Sequence, residues 1–234
     1  PVEPADDTDG GSGDCYCYLQ GAVDLVERMP NLEELRLNCK DFDIEKLFRD
    51  VKLPRLRLLQ IYHFGRWHPR RYDFEHNRYE YALDLLAENV GFPNLAHLIF
   101  HPHYERCGDD GESYLPLDQV RLLLRSKNFP KLTHLQLRLS NMGDDGCREL
   151  VGSGALKRLK WLHLRHGCVT DEGAKVLAAC PDVRNLEHLD LSRNALTAEG
   201  IAALTAAGVP LRADAQQTPE ELADHQYLRE GDFE

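Results

Sequence analysis

Along this chain the apolar positions recur in a fixed figure, L-x-x-L-x-L. It reads Leu32-Leu35-Leu37, Leu56-Leu59-Ile61, Leu95-Leu98-Phe100, Leu132-Leu135-Leu137, Leu159-Leu162-Leu164 and Leu186-Leu189-Leu191. The starts lie 24, 39, 37, 27 and 27 residues apart. The closing pair of each figure alternates with polar residues, the period of a strand with one buried face. In the last three copies a turn and a helix opening follow: Met142 to Gly146, Val169 to Gly173 and Leu196 to Gly200. Thr170 and Thr197 are natural N-caps, because a side-chain oxygen there accepts from free backbone N–H groups. Acidic residues in the first turn suit the helix dipole. Leu150, Leu177 and Leu204, each four residues beyond its glycine, are predicted to be buried. Cys147, Ala174 and Ile201 share one column of this alignment, which makes Cys147 a small core residue rather than a nucleophile.

One strand–helix unit cannot bury its apolar face alone, whereas stacked units share a continuous core. Six copies therefore predict one α/β solenoid, a right-handed β–α superhelix with a parallel sheet on its concave face and helices outside. These residues resemble the leucine-rich repeat proteins, and the ~27-residue units resemble their ribonuclease-inhibitor-like subclass. The resemblance is strong over Leu132 to Leu204 and looser over Leu32 to Leu124. It extends to the repeat proteins numerous in some large bacterial genomes. It implies protein–protein binding through the concave face and no catalysis. One departure matters: the asparagine of the usual strand-end ladder appears only at Asn194. Gly167 and Ser140 hold the corresponding positions, so the turns cannot all be tied by the same side chain.

The solenoid is expected over residues 15–214, after a disordered or linker segment at 1–14 and before a capping segment at 215–234. Asp6 to Gly13 has the composition of a disordered stretch. Leu19 to Met29 reads as an amphipathic helix of an N-terminal repeat. Val209 to Ala213 is predicted to add a last short strand. Thr218-Pro219-Glu220-Glu221 has capping-box spacing, and its helix is expected to run to about Tyr227.

The two long spacings exceed 27 by 12 and 10 residues, which predicts insertions between strand and helix near 64–78 and 101–116. The first carries Trp67, His68, Arg70, Arg71 and Tyr72; the second carries His103, Tyr104, Arg106 and Cys107. Their aromatic residues either pack the two loops together or serve as binding residues.

The register assigns three outward columns. The first is Glu34, Leu58, His97, His134, Trp161 and His188; the second is Arg36, Gln60, Ile99, Gln136, His163 and Asp190. The third is Asn38, Tyr62, His101, Arg138, Arg165 and Ser192. Three arginines less two carboxylates leave this face at +1, while the chain is at −11. The acidity therefore lies on helices and tails. Adjacent Arg138 and Arg165 suggest an acidic or phosphate-bearing group in a partner. A solvated sheet face is the plain alternative, but Trp161 and Tyr62 are costly on a plain surface. The candidate partner-binding residues are Tyr62, Trp67, His97, His101, His134, Arg138, Trp161, His163, Arg165 and His188.

Charge and cysteine use narrow the classes. An acidic chain is poorly suited to nucleic acid, and no apolar run approaches the ~20 residues of a membrane span. Seven scattered cysteines favour a reducing compartment, the cytoplasm. The chain opens on Pro1 rather than Met, which is consistent with a fragment. The candidate zinc ligands are His97 with His134, or His101 and His103 with Cys107. Neither set has a tight sequential motif, and no carboxylate partner is fixed by the spacing, so no metal and no cofactor are expected. Cys15-Tyr16-Cys17 lacks a second pair. Phosphate-loop, dinucleotide, zincin and serine-hydrolase motifs are absent from the sequence. The leading expectation is a non-catalytic, cytoplasmic protein-interaction scaffold. The alternatives are a metal- or thiol-dependent activity in the insertions, or a targeting segment of a larger enzyme.

Overall fold

The structure, a computed structural model, describes residues 21–38, 42–63, 72–73, 78–79, 81–102, 115–138 and 140–223. In chain order the strands are β1 (Glu34–Asn38), β2 (Leu58–His63), β3 (Tyr72–Asp73), β4 (Arg78–Tyr79), β5 (His97–Pro102) and β6 (Leu115–Pro116). They continue with β7 (His134–Leu137), β8 (Ser140–Asn141), β9 (Trp161–His163), β10 (His188–Asp190) and β11 (Leu211–Arg212). Seven of them form one sheet in the order β1-β2-β5-β7-β9-β10-β11, every pair parallel. The two small sheets, antiparallel β3–β4 and parallel β6–β8, lie outside it.

Between successive main strands the chain crosses through a helix: α2 (Ile44–Arg49), α3 (Leu83–Glu88), α4 (Leu117–Arg125), α5 (Gly143–Gly152), α6 (Asp171–Ala179) and α7 (Ala198–Ala206). α1 (Ala22–Glu27) precedes the sheet and α8 (Pro219–Ala223) follows it. Each helix from α1 to α7 packs against the next. Parallel strands require such crossovers, and a layer of helices over the sheet buries its apolar face. The chain is an α/β repeat solenoid. Its strand leucines Leu59, Leu98, Leu162 and Leu189 are fully buried, and one apolar cluster runs from Ala22 to Val209. Burying one such leucine contributes about 1.5–3 kcal/mol.

The helix openings carry a second repeating device. Thr170 and Thr197 cap α6 and α7, accepting from the backbone N–H groups of Glu172 and Glu199. The carboxylate of Asp144 reaches into the next unit. It accepts from the Thr170 backbone N–H at 2.8 Å, the Thr170 hydroxyl at 2.7 Å and the Gly173 N–H at 3.0 Å. Asp171 repeats this toward Thr197 and Gly200 at 2.8, 2.6 and 3.1 Å. Acidic residues that suit the helix dipole therefore also satisfy the free N–H groups of the following helix. The glycines follow from this contact. A Cβ on Gly173 would stand 2.5 Å from the Asp144 Oδ1, and one on Gly200 would collide with Asp171.

Asn194 provides a second tie on the same side, where the strands end and the turns to the helices begin. It is fully buried; its Oδ1 accepts from the N–H groups of Gly167 and Val169, and its Nδ2 donates to the carbonyls of Leu164 and Ser192. One asparagine thus ties two turns. Ser140 instead donates back to Leu137 at 3.5 Å. At the C-terminal end β11 pairs with β10. The capping box forms as expected, the Thr218 N–H donating to Glu221 and the Glu221 N–H to the Thr218 hydroxyl. The expected disordered stretch at Asp6 to Gly13 and the helix end near Tyr227 lie outside the described residues, as does the beginning of the Leu19 to Met29 helix. Among the described residues no helix is long and apolar enough to cross a membrane.

Candidate functional site

The sheet face turned away from the helices is set by strand register. The first column pairs Glu34, Leu58, His97, His134, Trp161 and His188 in unbroken sequence; the second pairs Arg36, Gln60, Ile99, Gln136, His163 and Asp190. In the third column Asn38, Tyr62 and His101 are paired, and the Arg138 N–H continues the ladder to the Phe100 carbonyl.

Strand spacing of ~4.8 Å places neighbouring rings of one column within stacking distance. His97 stacks on His134 with centroids 3.9 Å apart, His134 on Trp161 at 5.5 Å, and Trp161 contacts His188 at 5.0 Å. His163 joins from the second column, 5.9 Å from Trp161 and 4.9 Å from His188. Trp161 is the exposed member, at 40%. The Thr133 hydroxyl lies 2.9 Å from His134 Nδ1. Tyr62 and His101 form a separate edge-to-face pair at 4.5 Å.

Burial lowers the pKa of His97, His134 and His163, and like charge adds to it: Arg57 for His97, His97 for His134 and His188 for His163. Burial therefore favours the neutral form of these three imidazoles. His166, in the turn that follows β9, is fully buried. Burial first, then Arg138, Arg165 and Arg193, push its pKa down to about 3, with Asp190 opposing. Arg138 and Arg165 thus share one electrostatic neighbourhood around a buried ring.

Not every residue assigned outward is accessible. His101 is only 8% exposed, although alternation places it on the open face, and Ser192 and Asp190 are buried. Ser192 is covered by the last strand and its extension, where its Oγ accepts from the Asp214 N–H. Asp190 faces Arg212 of β11. Alternation assigns a direction; it does not register what a later segment lays on top. Trp67 and the insertion residues His68, Arg70, Arg71, His103, Tyr104, Arg106 and Cys107 lie outside the described residues, as do Cys15 and Cys17. Cys147 is fully buried, and burial, with Asp144 adding, raises its thiol pKa strongly. It packs as a core residue.

The carboxylate that spacing alone did not supply is present. His163, His188 and Asp190 bring one ligand atom each to within 4.8 Å of one another. The signal was legible: His188-Leu189-Asp190 alternates on one strand, and His163 stands 27 residues before Asp190.

The Leucine Rich repeat family model matches residues 130–151, 159–178 and 184–204. No curated protein matches the chain. Among solved structures the chain is similar to a protein of Bacteroides fragilis, with 19% identity and a TM-score of 0.56, over 85% of this chain and 51% of that one. An internalin of Listeria monocytogenes is 17% identical with a TM-score of 0.43, again over 85% and 51%. The chain spans about half the length of either. The Bacteroides likeness is one of fold.

Proposed function

We propose that this repeat solenoid, which matches the Leucine Rich repeat model over residues 130–151, 159–178 and 184–204, is a non-catalytic scaffold that binds a protein partner through the open face of its sheet. The observation that carries this reading is the unbroken ring row His97–His134–Trp161–His188, with Trp161 exposed at its centre. Folding requires no aromatic there, since Glu34 and Leu58 fill the same column on β1 and β2. Rigid stacked rings offer a partner large contact area with little conformational entropy to lose. His163 widens the row, and Arg138 and Arg165 beside it favour a partner with an acidic patch. Tyr62 of β2 and His101 of β5, with Trp67 from the sequence, are proposed as secondary contacts.

The 27-residue units fit the ribonuclease-inhibitor-like subclass. The cytoplasm is the compartment we propose, since the seven cysteines are scattered without a paired framework. The test compares proteins captured by the immobilised full chain with those captured by two variants. Trp161→Ala with Arg165→Glu removes the centre of the face; Leu122→Ala alters an exposed residue of α4. A partner retained by the Leu122 variant and lost with the double variant, at unchanged circular dichroism, supports the reading. An identical captured set for all three would sink it.

A further inference from the structure

We propose that His163, His188 and Asp190 form a binding site for one divalent transition-metal ion, zinc matching their donor set best. The site is built by register. β9 and β10 run parallel with His163 opposite Asp190 and Trp161 opposite His188. Alternate residues of a strand face one side, so the three donors occupy three corners of a four-residue patch and Trp161 the fourth. Their ligand atoms all lie within 4.8 Å. Around a tetrahedral ion held at ~2.0–2.2 Å such atoms stand roughly 3.4 Å apart. Small rotations of two half-buried imidazoles close that difference.

The carboxylate is already oriented. Asp190 is buried, and its Oδ1 accepts from the Ser192 N–H at 2.8 Å, which leaves Oδ2 to the patch. Hydrogen bonding of this kind fixes a ligating carboxylate. The Arg212 Nη1 stands 3.9 Å from Oδ2, while its Nε donates to Asp214 at 2.8 Å. An ion at the patch would neutralise the buried carboxylate by direct coordination. Two imidazoles and one carboxylate select zinc and its first-row neighbours over magnesium and calcium, which prefer oxygen donors. Three protein ligands leave an open position beside the Trp161 indole, as in a site that exchanges water for another ligand. That position faces the same side as the ring row, where a partner's carboxylate or imidazole would reach it.

The experiment uses the full chain in a Trp67→Phe background, so that indole fluorescence reports Trp161 alone. After chelator treatment the protein is titrated with Co2+, a paramagnetic quencher, and then with Zn2+. The expected result is saturable quenching at one ion per chain, reversed by equimolar Zn2+. His163→Gln and His188→Gln should each weaken binding at least tenfold, and Asp190→Asn, which keeps the acceptor for Ser192, should do likewise. His97→Gln with His134→Gln should leave the titration unchanged. Circular dichroism identifies any variant that misfolds, and the remaining single variants then decide. Absence of saturable quenching overturns the site. So does an affinity that follows His97 and His134 instead, or one indifferent to all three ligands. None of these outcomes bears on partner capture through Trp161 and Arg165, so the two readings fail separately.

Discussion

The Asp144 carboxylate offers a sharp test of how neighbouring units are joined. Replacing it by alanine strands three donors at the start of the next unit: the Thr170 N–H, the Thr170 hydroxyl and the Gly173 N–H. A hydrogen bond to a charged acceptor contributes ~1.5–3 kcal/mol when shielded. These are part-buried, so water recovers some of the loss and about 1 kcal/mol each is the better figure. The Thr170 cap itself persists, since its oxygen still accepts from Glu172. The expected cost is therefore about 3 kcal/mol. Asp145→Ala is the control: its neighbour carboxylate is largely exposed and pairs with Arg148 on its own helix. An exposed pair of this type contributes roughly 0–1 kcal/mol. Urea unfolding followed by circular dichroism reads both. Equal midpoints for the two variants would mean that the inter-unit contact carries no stability, and the account of the helix-start ladder would be wrong. Asp144→Asn should fall between them, because one amide oxygen can still accept from both backbone donors.

Gly173→Ala should destabilise despite alanine's better helix propensity, because its Cβ meets Asp144 at 2.5 Å; a raised midpoint in urea would contradict this. Asn194→Ala removes four bonds from a fully buried tie and should cost at least about 3 kcal/mol by the same assay, with the sheet's C-terminal units unfolding first by hydrogen exchange. Acid should destabilise the chain through His166. Its folded pKa of about 3 lies below the unfolded 6.5, so the unfolded chain takes the proton first. Stability is full above pH 6.5, falls below it, and should drop by about 2 kcal/mol between pH 7 and 5. His166→Asn, tolerant of the residue's positive φ, should flatten that profile, and an unaltered slope would refute the assignment. Cys147 should resist Ellman's reagent in the folded protein and react only on unfolding; prompt labelling at that position would contradict its burial.

Most of the architecture was legible because the repeat fixes periodicity and register together. The first two face columns assigned by counting from each leucine figure are the columns of the sheet, residue for residue. Even the caps Thr170 and Thr197 followed from residue type and place. What escaped was contact between units. Asp144 and Asp171 looked like dipole partners of their own helices, and only the stacking distance reveals that each serves the next helix. The buried state of His101, Asp190 and Ser192 escaped for the same reason: alternation is a property of one strand, burial a property of its neighbours. The His163, His188 and Asp190 grouping was within reach of the register, but it joins two columns of the face and forms no ligand motif along the chain.

The positions of these ties bear on the face itself. The aspartate ladder joins the units at Asp144, Asp171 and Thr197, and Asn194 ties the turn at Gly167 to its own. The ring row lies over this same part of the sheet, on β7, β9 and β10, with His97 of β5 at its edge. β1 and β2, outside these ties, carry Glu34 and Leu58 in that column instead. Side chains meant to meet a partner gain most when their backbone cannot shift, because ordering it on binding would cost affinity. Loosening the scaffold with Asp144→Ala should therefore weaken partner capture even though Asp144 lies at a helix start and not on the face.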